Sequence, residues 1–295
     1  MNRDPSPDRE IRQVAGLDVL IEGAGDRTVV MIHGWPDTAA LWEPQVAALC
    51  GRLRCVRFTL PGFDRRHERR IYGLDEMLSI LQQVVDNVCP TRPVTLLLHD
   101  WGCVFGYRFA QAYPERVEAI LALDVGDAGS KAHVASLSLA GKLGIASYQI
   151  ALALAWPLPV PQGDAVSRTI ARWAKAPSDM RRVGSHMNYP YVVQWSGGYG
   201  SLPFEPHCPM LFAYGTRKPF MFHSEAWLAG LKARPDSEVL AFDTGHWVSH
   251  EAAAEFNAAL LRWLDRNPST TLAQASKAAR SDCAAQSPDG PLEID

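Results

Sequence analysis

Val94-Thr95-Leu96-Leu97-Leu98-His99-Asp100-Trp101-Gly102 is the stretch on which the reading of this chain turns. Residues 94–98 form an unbroken run of β-branched and apolar side chains, long enough for a buried strand. Residues 101–113 carry helical spacing and stop at Pro114. Asp100 therefore sits where a strand passes directly into a helix. A side chain on such a turn is lifted above the sheet, beside helix N–H groups that have no partner inside the helix. In open parallel sheets reactive groups gather at the carboxyl ends of the strands. An aspartate here also reads as a plain helix N-cap, so the rest of the chain has to decide.

Outward from this point, short apolar runs alternate with helical patterns. Residues 28–32, 54–60, 117–123, 210–214 and 239–242 read as further strands. Residues 39–50, 74–88, 224–231 and 250–265 read as helices. Met77, Ile80, Leu81, Val84, Val85 and Val88 mark one apolar face of the second of these. This is the alternation of βαβ units. It breaks between residues 126 and 206, where a long helical stretch rich in Ala, Leu and Trp intervenes. The expectation is an α/β fold with a mostly parallel central sheet flanked by helices. Residues 1–125 and 207–267 would form the core, residues 126–206 an inserted helical cap, and residues 268–295, which lack periodicity, a disordered tail.

Composition excludes several classes. With 295 residues and a formal charge of −3, the chain can bury a large core and has no electrostatic attraction to nucleic acid or anionic membrane. The most apolar stretch, residues 145–160, is too short and too polar to span a bilayer. The amino terminus has no signal-peptide pattern. The six cysteines show no CxxC pair, which argues against a metal knuckle or a disulfide framework. A cytoplasmic protein without cofactor or metal is expected. Its oligomeric state is open.

Two further motifs accompany Asp100. His33-Gly34-Trp35-Pro36-Asp37 follows one strand end, and Thr244-Gly245-His246-Trp247 follows the last. Together these resemble the α/β-hydrolase fold superfamily. His-Asp-Trp-Gly with His-Gly-Trp-Pro-Asp is similar to the epoxide hydrolases, with haloalkane dehalogenases as neighbours. The resemblance implies Asp100 as a nucleophile that forms an alkyl ester. It implies His246 as the base that activates water, and the N–H groups of Trp35 and Trp101 as the oxyanion hole. The substrate would be a small apolar or amphipathic organic molecule.

The sequence departs from this family in two places. Leu98 stands two before Asp100, where a small residue is usual. Gly215-Thr216-Arg217-Lys218 stands where the acid behind the histidine is most often found. Lys218 cannot serve as that acid and is expected to point to solvent. Asp124 at the end of the preceding strand is the favoured substitute, as in one group of haloalkane dehalogenases, and Asp127 the weaker one. If neither serves, the chain is a slow enzyme or a catalytically silent ligand-binding protein. For an epoxide, Tyr148, Tyr189 and Tyr191 in the cap would protonate the leaving oxygen. For a halide, the indoles of Trp35 and Trp101 would solvate it.

Overall fold

The computed structural model describes residues 9–200 and 204–269. The segment beyond them, and with it most of the expected tail at 268–295, lies outside the described residues. Eight strands form one sheet: β1 (Arg9–Val14), β2 (Leu17–Glu22), β3 (Thr28–Ile32), β4 (Arg54–Phe58), β5 (Val94–His99), β6 (Val117–Leu123), β7 (Met210–Gly215) and β8 (Glu238–Phe242). Their order is β1-β2-β4-β3-β5-β6-β7-β8. All pairs from β4 to β8 are parallel, whereas β1 and β2 are antiparallel.

The central strands are buried on both faces, which explains their continuous apolar runs. Alternate residues reach opposite layers. Val30, Ile32, Leu96, Leu98, Ile120 and Ala122 pack into one cluster. Val29, Met31, Leu97, Leu121 and Leu123 pack into the other. Helices α1 (Glu43–Leu49), α2 (Leu74–Val88) and α3 (Trp101–Ala112) follow β3, β4 and β5. After β6 come α4 (Lys131–Ser136), α5 (Leu139–Ala155), α6 (Val160–Trp173) and α7 (Tyr189–Trp195), before the chain returns to the sheet at β7. Then α8 (Glu225–Lys232) precedes β8, and α9 (Val248–Glu251) and α10 (Ala253–Arg266) follow it. Leu152, Ala171, Met187 and Tyr191 of the inserted helices belong to the same buried cluster as Leu98 and Phe105, so the insertion is packed onto the sheet's helix layer. No described helix is long and apolar enough to cross a membrane.

Leu98 is accommodated across the layer. A Cβ placed on Gly106 of α3 would lie 2.5 Å from the Leu98 Cδ2. The small residue required beneath the turn is thus on the helix instead of the strand. Gly106→Val should overpack this contact and destabilise the fold by about 1–3 kcal/mol in urea denaturation. Adding Leu98→Ala to the same chain should recover part of that loss.

Candidate active site

Three strand ends converge on one point. β5 ends at His99, and Asp100 turns the chain with φ 52° and ψ −120°. For a residue with a side chain this conformation costs about 1–3 kcal/mol and persists only where its surroundings enforce it. Here they do. A Cβ on Gly34 would overlap the Asp100 side chain, and one on Gly102 would enter the Ile32 carbonyl. The Trp35 N–H donates to Asp100 Oδ1 at 2.7 Å, and the Trp101 N–H helps keep this carboxylate ionised. The loop carrying Trp35 is fixed by His33, whose Nε2 accepts from the Leu60 N–H at 2.9 Å and whose Nδ1 donates to the Gly34 carbonyl at 2.9 Å. Burial pushes this imidazole down to about 4, so it stays neutral.

β6 ends at Leu123, and Asp124 follows in the left-handed region with φ 71°. It is fully buried. Its Oδ1 accepts from the Gly215 N–H at 3.1 Å and from Lys218 Nζ. Its Oδ2 accepts from His246 Nδ1. The other nitrogen, His246 Nε2, stands 3.5 Å from Asp100 Oδ2. The imidazole therefore bridges the two carboxylates.

The charges of these groups are interdependent. Burial would push the Asp124 carboxyl up, but the Lys218 ammonium and His246 hold it far below the ordinary range. Burial likewise opposes ionisation of Asp100, but His246, His99 and the Trp101 N–H together outweigh it and hold the carboxyl below its ordinary value. His246 is desolvated too, yet Asp124 and Asp100 together raise it to about 9. In the free protein the imidazolium is the stable form. Losing the charge on Asp100 removes one of its two supports.

A second polar group lies behind the histidine. The His99 ring stands 4.5 Å from that of His246, and its Nε2 donates to the His246 carbonyl at 3.1 Å. Its Nδ1 faces buried Asp37 at 3.8 Å. Asp37 also accepts from the Trp247 indole at 2.9 Å and from the Ser178 hydroxyl. Sequence reasoning overlooked this group, although Asp37 was visible in the motif.

Above Asp100 lie two cavities of about 410 and 370 Å³ that both reach Asp100, Tyr148, Tyr191 and Phe222. Tyr148 accepts from Gln149 Nε2 at 3.3 Å, which leaves its O–H free to donate. Burial keeps both phenols protonated. Tyr189 is a correction. Its hydroxyl donates to the Pro61 carbonyl at 3.0 Å, it is fully buried, and it lines neither cavity. Lys218 is another. It points inward onto Asp124 with its side chain 6% exposed, because a buried carboxylate was already there to receive it. Asp127 instead accepts from the Ser224 N–H at 2.7 Å and fixes the start of α8. The Trp35 indole donates to Asn188 Oδ1 at 3.0 Å and is not free for a ligand. Asn188, which holds it, was also overlooked. Among the described residues no group of three or more His, Cys, Asp or Glu side chains could hold a metal ion.

Comparison with known proteins agrees with this architecture. The model of the Alpha/beta hydrolase family matches residues 29–259, and the chain belongs to that family. A cis-3-alkyl-4-alkyloxetan-2-one decarboxylase of Xanthomonas campestris is 24% identical over 88% of this chain and 95% of its own. Epoxide hydrolase 1 of Caenorhabditis elegans is 26% identical over 39% of this chain, a stretch that spans 29% of that protein. The crystal structure of epoxide hydrolase A from Mycobacterium thermoresistibile superposes with a TM-score of 0.64 at 20% identity, covering 90% of this chain and all of that one (100%). This last likeness shows the fold alone.

The buried acid behind His99 has a measurable signature. Burial raises Asp37 to about 6, against the opposing hydrogen bonds from Ser178 and Trp247. The stability it contributes is complete below the unfolded value of about 3.9 and is lost as pH rises through about 6. That gap corresponds to at most roughly 3 kcal/mol. Wild type should therefore lose stability relative to Asp37→Asn between pH 4 and pH 7, measured as the difference in urea midpoints at each pH.

Proposed function

We propose that this α/β-hydrolase opens an epoxide through an ester on Asp100 and then hydrolyses that ester. Asp100 Oδ2 attacks a ring carbon, and the carbon–oxygen bond of the strained ring breaks. The alkoxide formed takes a proton from Tyr148 or Tyr191. The ester is then resolved by water, which gives a proton to His246 as it attacks the Asp100 carbonyl carbon. Oδ1 becomes the oxyanion and receives the N–H groups of Trp35 and Trp101, one of which already stands 2.7 Å away. Collapse releases the diol and restores the carboxylate. Before the water attacks, the imidazolium of the free site has passed its proton to the tyrosinate, and the water restores it, so the sum is epoxide plus water giving diol.

The observation that carries this reading is the distribution of donors over Asp100. Two cap phenols line both cavities at that residue, whereas the Trp35 indole is bound to Asn188. A departing alkoxide needs a proton, which phenols supply. A departing halide needs indole N–H groups, and one of the two expected is occupied. Asp124 has the role of the acid behind His246 in this reading, supported by its bond to Nδ1.

A second reading has its own support. Two cavities meeting at one nucleophile suit a ring with two substituents, one directed into each. The Xanthomonas decarboxylase, matched over nearly its full length, is named for an oxetan-2-one carrying two alkyl groups. Such a lactone also presents a strained saturated carbon–oxygen bond to a carboxylate; its leaving group is a carboxylate that needs no proton, and loss of that group as CO2 would expel Asp100 and form an alkene.

His246→Gln separates these possibilities by intact-protein mass spectrometry. With a panel of 1,2-disubstituted epoxides it should gain the mass of one epoxide and release no diol, while Asp100→Asn gains nothing. Wild type should convert the same compounds to diols. An adduct only with cis-3,4-dialkyl-oxetan-2-ones, with alkene released by wild type, would favour the second reading. No adduct from either panel would count against an ester on Asp100.

A further inference from the structure

Lys218 is the feature that the proposed reaction does not use. It occupies a position after β7, its side chain is 6% exposed, and it binds a carboxylate that is itself fully buried. A buried carboxylate needs a compensating positive charge. If His246 were the sole cation beside Asp124, the imidazole would be held in its charged form, and a charged imidazole cannot take a proton from water. The two oxygens of Asp124 divide the work: Oδ1 receives Lys218 and Oδ2 receives His246.

We propose that Lys218 is a positioning residue for His246. By pairing with Oδ1 it supplies a cation that Asp124 requires, so the imidazole on Oδ2 is free to lose its proton and act as a base. This deepens the reading above and rests on it for the moment at which deprotonation matters. While Asp100 is ionised, the site holds two carboxylates and two cations. When Asp100 becomes an ester, one negative charge disappears. Asp124 and Lys218 then balance each other, and neutral His246 leaves no net charge in the buried site.

Among the described residues no other group is placed to take over this task. Lys218 also faces the Phe222 ring, with Nζ 5.6 Å from its centroid, and His223, which burial and Lys218 push down to about 4. Asp127, near His223, is bonded to Ser224 and Ser130. Arg217 is turned outward to Asp243 at 3.3 Å and Glu251 at 3.4 Å. On its other side His246 faces Asp100 and the neutral ring of His99, with Asp37 behind that ring. Lys175 lines the same cavity from the segment after α6 and has no contact with Asp124.

The test is a titration of His246 in the full chain, labelled with ¹⁵N-histidine and followed by NMR, with the His246 signal assigned from His246→Gln. Asp100→Asn imitates the neutral ester. In that background His246 should titrate near the ordinary histidine value of about 6.5. Adding Lys218→Met should move the midpoint up by about one pH unit or more, because removing a nearby cation favours the imidazolium. Lys218→Arg should leave it in place. An unchanged midpoint in Lys218→Met overturns the proposal, since a purely structural lysine would alter stability and not the titration. Should Lys218→Met fail to fold, Asp100→Asn alone decides: a midpoint remaining above about 8 with Lys218 present means that the lysine does not release His246. The readout is the histidine itself, so a failure to form an ester on Asp100 would sink the reaction without obscuring this result.

Discussion

Asp124 carries more of the site than any other side chain. It stands in a left-handed turn at the end of β6, fully buried, and three partners from two segments converge on it: the Gly215 N–H at the end of β7, the Lys218 ammonium just after it, and the His246 imidazole. A lone carboxylate in such a place would be protonated or would draw water inward. Instead its partners fix where the loops after β7 and β8 run. Through His246 the same charge reaches Asp100, so the geometry above the sheet and the ionisation of the site have one origin.

The turn at Asp100 depends on steric permission. Gly34 and Gly102 lack the Cβ atoms that would collide with the Asp100 side chain and the Ile32 carbonyl, and the Trp35 N–H then holds Oδ1 of the carboxylate while His246 faces Oδ2. Leu98 would seem to violate the crowding rule for such turns. Gly106 resolves this, because what a tight turn requires is room between strand and helix, and either element can provide it. A sequence comparison confined to the strand sees a departure; the contact itself is satisfied.

What could be read from the sequence follows from how far each signal reaches. The parallel strands were legible since burial on both faces produces unbroken apolar runs, and the motifs at three strand ends were legible because backbone geometry restricts them. The hairpin of β1 and β2 was not. Its turn uses Ala15-Gly16 at φ 50° and 77° in place of the usual Asn-Gly or Asp-Gly, and Glu22, which belongs to it, is buried against Arg57 of β4 at 2.9 Å. Charged residues in a strand look exposed until their partner, 35 positions away, is known. Lys218 was misplaced for the same reason: the cost of burying an ammonium is visible locally, and the buried carboxylate that offsets it is not. The roles of Tyr189 and Tyr191, separated by one residue on α7, differ only because the helix presents them to different surroundings.

Several of the contacts that sequence could not give also join the inserted helices to the sheet. Trp35 is held by Asn188, Tyr189 by the Pro61 carbonyl, Tyr199 by the Tyr72 carbonyl at 3.0 Å, and Asp37 by Ser178. Each pairs a residue of the sheet's loops with one of the insertion, and each buried polar atom would be costly to leave unmet. They therefore set where Tyr148 and Tyr191 stand relative to Asp100. Trp35 is at once a donor to the Asp100 carboxylate through its backbone and a donor to Asn188 through its ring, so the loop after β3 and the turn leading into α7, which carries Tyr191, are positioned by a single residue. The surroundings of Asp100 consequently depend on side chains such as Asn188 that touch neither the carboxylate nor the histidine.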